Sequence, residues 1–259
     1  NFFILLKTNK LFQLLGLIED ELAWAAAWLY LATEDKSYLT KAESLYNSFS
    51  TRGEVFSWED KSQGAFVLLA KITGEDKYKN NVKNFCENVR NSQTTSPKGE
   101  KYFYEWGSLR YAANAALICL QVFLGNPTTI NNPLSDSICL GFDLGIEDAL
   151  NLELAQSQAD YILGSAGRSF VVGFGVNPPV QPHHRGSTCP NKPAACGWDN
   201  NVANNQPNPQ SLDGALVGGP RGSNDAYTDD RLDYTANEVT LDYNAGFQAL
   251  VAGLKTRYC

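Results

Sequence analysis

Methionine is absent from this 259-residue chain, histidine occurs only twice, and Asp and Glu (28) outnumber Lys and Arg (21). Because a complete reading frame begins with Met, its absence predicts a processed or partial polypeptide, and the first residues do not form a signal peptide. The net charge of −7 disfavours nucleic acid and anionic membrane surfaces as partners, since both need clustered Lys and Arg. No apolar run reaches the roughly 18 residues of a membrane span. These absences favour a neutral partner such as an uncharged polymer.

The six cysteines give only a weak indication of compartment. No CxxC or Cys/His spacing is typical of a zinc site. Cys189 and Cys196 fall at short separation in one predicted loop. Two interpretations remain: a local disulfide between these two residues, or six unpaired and mostly buried thiols.

Hydrophobic periodicity predicts an all-α chain, because strand-like alternation is scarce. The segment around Trp24 and Trp28 is apolar on nearly every face, which predicts a helix buried on both sides with these two side chains in the core. The predicted helices cover residues 21–31, 36–49, 62–72, 77–89, 109–124, 146–163 and 238–254.

An internal repeat organises the first of these helices. LATEDKSYLTKAESLY, from residue 31, is similar to KITGEDKYKNNVKNF, from residue 71. Thr33 aligns with Thr73 and Tyr38 with Tyr78, at an offset of 40 residues. Helix–turn–helix units of this length stack into an open solenoid or close into a toroid.

Residues 165–237 differ from the rest of the chain, because they are rich in Gly, Pro, Asn and Asp and lack a helical period. Such a segment is either disordered or a functional loop. It contains His183, Arg185 and Trp198, which favours the functional interpretation.

Two segments near the C-terminus indicate the chemistry. SFVVGFGVNPPVQPHHR covers residues 169–185, and YTDDRLDYTANEVTLDYNA covers residues 227–245. Both resemble the signature segments of family 9 glycoside hydrolases, the inverting β-1,4-glucanases. The matching positions are Gly175, Asn177, His183, Arg185, Tyr227, Asp229, Tyr234, Glu238, Thr240, Asn244 and Ala245.

The resemblance implies an incomplete (α/α)6 barrel in which residues 1–259 are the C-terminal portion of one catalytic domain, with a long active-site loop. It implies a secreted, monomeric endoglucanase that hydrolyses internal β-1,4 bonds of cellulose-like glucans with inversion and needs no cofactor for the chemistry. The family carries its general base in an Asp-Ala-Gly-Asp segment, which does not occur here. The alternatives are a catalytically incomplete glucan-binding fragment and a different (α/α)6 enzyme.

Hydrolysis of a glycosidic bond needs two carboxyl groups. The resemblance implies that Glu238 is the general acid, that Asp229 and His183 are further residues of the catalytic site, and that Arg185 binds substrate. Glu238 also opens a predicted helix, and a helix N-terminus favours the charged carboxylate rather than an acid. We therefore expect like charge from the aspartates just upstream to oppose this effect. From position alone, Glu238 is an ordinary helix N-terminal residue and Asp229 a turn residue.

Flat aromatic side chains are the second requirement, because the C–H faces of sugars pack on them. Trp58, Trp106 and Tyr111 lie near predicted helix starts in segments that resemble the glucan-binding segments of the family. They are predicted to bind substrate, with packing at the barrel rim as the alternative.

Three carboxylates correspond to positions that hold a structural calcium ion in part of the family: Asp20, Glu21 and Asp60. Oxygen ligands suit this ion. The LLGLIE stretch before Asp20 departs from the family pattern, and helix capping is the alternative.

Overall fold

The computed structural model describes residues 18–123, 147–198 and 202–256. Over these ranges the secondary structure is helical, with isolated β-bridges and no strands, which confirms the all-α prediction. The helices are α1 (Glu19–Thr33), α2 (Lys36–Phe49), α3 (Ser62–Thr73), α4 (Asp76–Asn91), α5 (Ser108–Phe123), α6 (Glu147–Asp160), α7 (Arg185–Thr188), α8 (Tyr234–Asn237) and α9 (Leu241–Thr256). A π-helical turn, Tyr161–Ser165, continues α6.

The internal repeat corresponds to two helical hairpins, α1–α2 and α3–α4. In each, a Thr hydroxyl donates to the carbonyl four residues earlier, at 2.7 Å for Thr33 and 2.8 Å for Thr73. The next residue is left-handed, with φ 59° at Glu34 and 71° at Gly74, and this ends the helix. The same Thr hydroxyl then accepts the N–H of the second residue after it, which starts the turn into the following helix.

The helices pack in sequence order around two apolar clusters. The first cluster lies between α1, α2, α3, α4 and one side of α5, and the Cys86–Cys119 disulfide joins α4 to α5 within it. The second lies between α5, α6, α9 and the loop that follows α6. Helix α9 packs on α5 and α6. The C-terminal helix therefore contacts helices from the middle of the chain, and the loop that precedes α9 lies beside them.

Two disulfide bonds decide between the two interpretations of the cysteines. Cys189 and Cys196 form the local disulfide, so the interpretation of six unpaired thiols is wrong. The Cys86–Cys119 bond was not predicted, because its partners lie 33 residues apart and only helix packing brings them together. Cys139 and Cys259 lie outside the described residues.

The prediction that α1 is buried on both sides is wrong. Its buried residues are Asp20 and three alanines, including Ala23 and Ala27, and the alanines allow close approach to α2 and α3. Trp28 is 42% exposed and Trp24 is half-buried. Both line an apolar cavity of about 370 Å³, because a helix that packs through an alanine stripe leaves its large residues at the edge of the contact.

The Gly- and Pro-rich segment is largely irregular but well connected in its described residues. Arg231 is 1% exposed, and its guanidinium donates to the carbonyl of Asn204 (2.7 Å) and to the side chain of Asn208 (2.8 Å). Inward-facing polar groups thus replace secondary structure in satisfying the loop backbone. None of the helices in the described ranges has the length and apolar character needed to cross a membrane.

Candidate active site

Glu238 lies in the short connection between α8 and α9. Its backbone is extended (φ −59°, ψ 144°), and its N–H donates to the carbonyl of Tyr234 at 3.0 Å, which caps the C-terminal end of α8. Helix α9 begins three residues later, at Leu241. The predicted helix start at Glu238 is therefore wrong, and the expected helix-dipole effect on its carboxylate falls away because that effect is confined to the first turn.

Two donors, one from the turn before α5 and one from α9, converge on one oxygen of Glu238. The Trp106 indole Nε1–H donates to Oε2 at 2.8 Å, and the Tyr243 hydroxyl donates to the same atom at 3.2 Å. Burial, and then the charge of Glu238, raises the pKa of the Tyr243 hydroxyl, so it remains a donor. The carboxyl is half-buried and held in a defined orientation.

Arg110 supports this arrangement from within the core. Its side chain is 7% exposed and forms an ion pair with Asp242 at 3.2 Å. The guanidinium lies over the rings of Tyr243 (5.2 Å) and Tyr111 (4.3 Å) and donates to the carbonyl of Trp106 (3.4 Å). Sequence reasoning missed Arg110 because nothing in its local pattern marks it. Tyr243 was missed although it lies inside the second signature segment.

Gly107 explains how Tyr243 comes close to the chain beside Trp106. A Cβ at this position would lie 2.5 Å from the Tyr243 hydroxyl oxygen, and the backbone φ is +66°. Glycine is the residue that tolerates both conditions.

His183 is joined to the acid segment through the backbone. Its N–H donates to the carbonyl of Asn237 at 2.7 Å, which forms a short parallel bridge beside Glu238. Its Nδ1 lies 2.6 Å from the carbonyl oxygen of Arg231. Because a carbonyl oxygen only accepts, we assign the proton to Nδ1, which leaves Nε2 as the acceptor nitrogen of the neutral ring.

Tyr234 completes an aromatic surface around the carboxyl. It is 49% exposed, and its ring centroid lies 5.2 Å from that of Trp106 and 5.9 Å from that of His183. It appeared in the sequence only as a matching signature position, with no role. The rings of Tyr234, Trp106 and His183 lie on one surface, because the segment that contains His183 pairs with the end of α8 beside α5.

Asp229 is held by the backbone of the first signature segment. Its two carboxylate oxygens accept the backbone N–H groups of Val180 (2.8 Å) and Gln181 (3.0 Å). These bonds connect the two signature segments just before His183. The side chain thus positions the loop, and the catalytic role of Asp229 stays a prediction.

Arg185 is exposed at the start of the short helix α7, next to His184, whose Nδ1 accepts the Ser187 N–H at 3.2 Å and so caps α7. Arg185 and His183 line the same cavity, of about 430 Å³. The structure therefore brings together four of the predicted residues: Glu238, Trp106, His183 and Arg185.

Trp58 and Tyr111, which were both predicted to bind substrate, differ in their exposure to solvent. Trp58 is 62% exposed in the loop before α3. Tyr111 is 5% exposed, and its hydroxyl donates to Glu59 at 2.8 Å and accepts from Arg110 at 2.6 Å. Tyr111 is thus a buried support for the Trp58 loop, because its position on α5 faces inward.

Two of the three predicted calcium ligands accept backbone N–H groups. Asp20 is buried and accepts the Lys61 N–H at 2.6 Å, whereas Asp60 accepts the Ser62 N–H at 2.8 Å. Burial, then contact with Asp20, raises the pKa of Glu21 to about 7. In the described part of the chain, no three His, Cys, Asp or Glu side chains are grouped to hold a metal ion. Calcium at these residues stays a hypothesis.

Comparison with known proteins identifies the family of this chain. A sequence profile described as Glycosyl hydrolase family 9 matches residues 8–251. The chain belongs to this family. The match excludes membership of another (α/α)6 family.

The solved structure of a termite endoglucanase (Nasutitermes takasagoensis) is 46% identical, with a TM-score of 0.81 over 93% of this chain and 51% of that one. Endoglucanase CelQ from Clostridium thermocellum, complexed with cellotriose, is 35% identical, with a TM-score of 0.76 over 93% of this chain and 39% of that one. Endoglucanase 15 of Arabidopsis thaliana is 40% identical over 90% of this chain and 51% of its own length.

The structures of family 9 neighbours are (α/α)6 barrels, so the predicted barrel is confirmed and the open solenoid is excluded. The chain spans about half the length of the termite and Arabidopsis proteins. The described helices are correspondingly part of the family 9 barrel.

Proposed function

We propose that this chain is the acid-bearing part of a secreted, monomeric endo-β-1,4-glucanase that hydrolyses cellulose-like glucans with inversion. The observation that carries the proposal is the pair of hydrogen bonds from Trp106 and Tyr243 to one oxygen of Glu238, beside an exposed aromatic surface. The cellotriose bound to CelQ supports a β-glucan as substrate. The two disulfides support secretion, because such bonds persist in oxidising compartments.

The hydrogen bonds indicate which oxygen delivers the proton. Both donors contact Oε2 of Glu238, so that oxygen must accept. In the neutral acid the proton is therefore carried by Oε1. We infer that Oε1 protonates the glycosidic oxygen, while the bonds from Trp106 and Tyr243 stabilise the carboxylate that forms.

An inverting enzyme also needs a second carboxylate, roughly 6.5–9.5 Å from the first, to activate water. Neither Asp229 nor Asp225 suits this role. Asp229 accepts two backbone N–H groups, and Asp225 accepts the Ser96 hydroxyl (2.5 Å) and the Tyr161 hydroxyl (2.7 Å). The Asp-Ala-Gly-Asp segment of the family does not occur in these 259 residues. We therefore propose that the isolated chain binds glucan and presents the acid, with slow turnover.

Azide tests this proposal, because a small anion can take the place of a base-activated water. In the expected reaction azide attacks the anomeric carbon, the C–O bond breaks, and the Glu238 proton passes to the leaving oxygen. We expect the chain to form glycosyl azide from cellotetraose, detected by mass spectrometry. Glu238→Gln should form none, whereas Glu153→Gln, an exposed substitution on α6, should behave as the unaltered chain does.

The outcomes separate the parts of the proposal. Fast hydrolysis of carboxymethyl cellulose without azide, lost in Glu238→Gln, would mean that a carboxylate of this chain acts as the base. Product formation that survives Glu238→Gln would refute the assignment of the acid. Failure to bind any cello-oligosaccharide would refute the glucan substrate.

A further inference from the structure

A second cavity lies on the His183 side of Glu238 and has no part in the acid chemistry described above. Its volume is about 430 Å³, within the range of roughly 300–1,000 Å³ that is usual for small-molecule sites. The side chains that the argument uses are His183, Arg185, Trp198, Arg231 and the Cys189–Cys196 disulfide. They combine an exposed aromatic ring, an exposed cation and a covalently closed wall.

His183 belongs both to this cavity and to the segment that pairs with Glu238. It lines the cavity, and its backbone forms a parallel bridge with Glu238. A polymer bound across Glu238 would therefore meet this cavity on one side. A β-1,4-glucan is such a polymer, since each further glucosyl ring extends it in the same direction.

Trp198 has the character of a stacking platform. It is 64% exposed, which is more than Trp58 (62%), Trp106 (49%) or Trp28 (42%). When the C–H face of a sugar covers an exposed indole ring, apolar surface of the ring is removed from water. The indole N–H remains available to donate to a sugar hydroxyl. The disulfide ends two residues before Trp198 and restrains the loop that presents it.

The two arginines of the cavity have different roles. Arg231 is buried, and its donors are directed to carbonyls and side-chain oxygens of the loop, so it fixes the wall. Arg185 is exposed and, among the described residues, forms no ion pair. Its guanidinium can therefore donate to the hydroxyl groups of a neutral sugar.

We propose that this cavity is an additional glucosyl subsite, in which Trp198 stacks on one sugar ring and the disulfide-closed loop holds the indole in place. The inference rests on the proposed function, because it takes the same glucan as ligand. It adds a ring-binding position at a residue outside both signature segments.

A length series of cello-oligosaccharides tests the subsite. Calorimetric titration of the 259-residue chain with cellobiose through cellohexaose should show a step in affinity at the length that first reaches Trp198. Trp198→Ala should remove this step, with a loss of roughly tenfold for the longer ligands and no change for the shorter ones. Trp198→Phe should retain most of the step, because a smaller flat ring still stacks.

Two controls distinguish a direct contact from loss of structure. Trp28→Ala removes an exposed indole that lines a separate cavity, and it should leave the length series unchanged. The double substitution Cys189→Ser with Cys196→Ser should reduce the step while leaving the indole present. A length series unaltered by Trp198→Ala would overturn the subsite and leave the proposed function standing. No binding at any length by the unaltered chain would overturn both, whereas a uniform loss at all lengths would overturn the subsite assignment.

Discussion

Replacing Glu100 with Gln should stabilise the protein at alkaline pH. Glu100 is 0% exposed, and no hydrogen bond of normal geometry reaches either carboxyl oxygen. Burial is the main cause that raises its pKa, from 4.5 to about 8. The nearby Asp225 raises the pKa further, whereas the hydroxyls of Ser108 and Tyr161 lower it. The folded protein therefore keeps this carboxyl neutral at pH 7.

The sign of the effect follows from proton binding. Between pH 4.5 and about pH 8 the folded state holds a proton that the unfolded state has lost, so stability falls as the pH rises through this window. The full cost above pH 8 is about 5 kcal/mol, and about 4 kcal/mol of it develops between pH 5 and pH 9. Gln has nearly the same shape and does not titrate, so the variant avoids this cost.

Urea unfolding followed by tryptophan fluorescence at pH 5, 7 and 9 measures the difference. We expect Glu100→Gln and the unaltered chain to be similar at pH 5, with the variant more stable by about 4 kcal/mol at pH 9. Glu153→Gln, on an exposed position, should show no such pH dependence. An equal difference at all three pH values, or a less stable variant at pH 9, would refute the argument that a buried neutral carboxyl lies here.

Three further substitutions test the site. Trp106→Ala should weaken cello-oligosaccharide binding by roughly 1–3 kcal/mol, because a stacking surface and a donor to Glu238 are lost. Unchanged affinity in calorimetry would show that Trp106 is only a packing residue. Gly107→Ala should displace Tyr243 and lower the rate of glycosyl azide formation by about tenfold while binding changes little; an unaltered rate would show that the Tyr243 contact does not matter. Asp229→Asn should leave two backbone donors poorly paired and lower unfolding stability by about 1–3 kcal/mol, and a change in rate at constant urea midpoint would instead indicate a chemical role.

The helical hairpins were predictable because their determinants are local. The Thr hydroxyl bonds and the left-handed residues at the turns depend on a few neighbouring residues, and α2 occupies the predicted range of 36–49. The local disulfide was also within reach of sequence reasoning, because its partners lie seven residues apart. The signature segments indicated the positions of Glu238 and His183 for the same reason, since each is a continuous string.

The contacts of the Glu238 side chain depend on how the helices pack. The two donors to its Oε2 come from Trp106, 132 residues away, and from Tyr243, which reaches it only because Glu238 lies outside α9. The burial of Tyr111 and the exposure of Trp28 depend on which helix faces meet, and both faces are apolar in the sequence. A local pattern specifies where helices begin and end. The orientation of a side chain toward a partner more than a hundred residues away depends on contacts that exist only after the helices have packed.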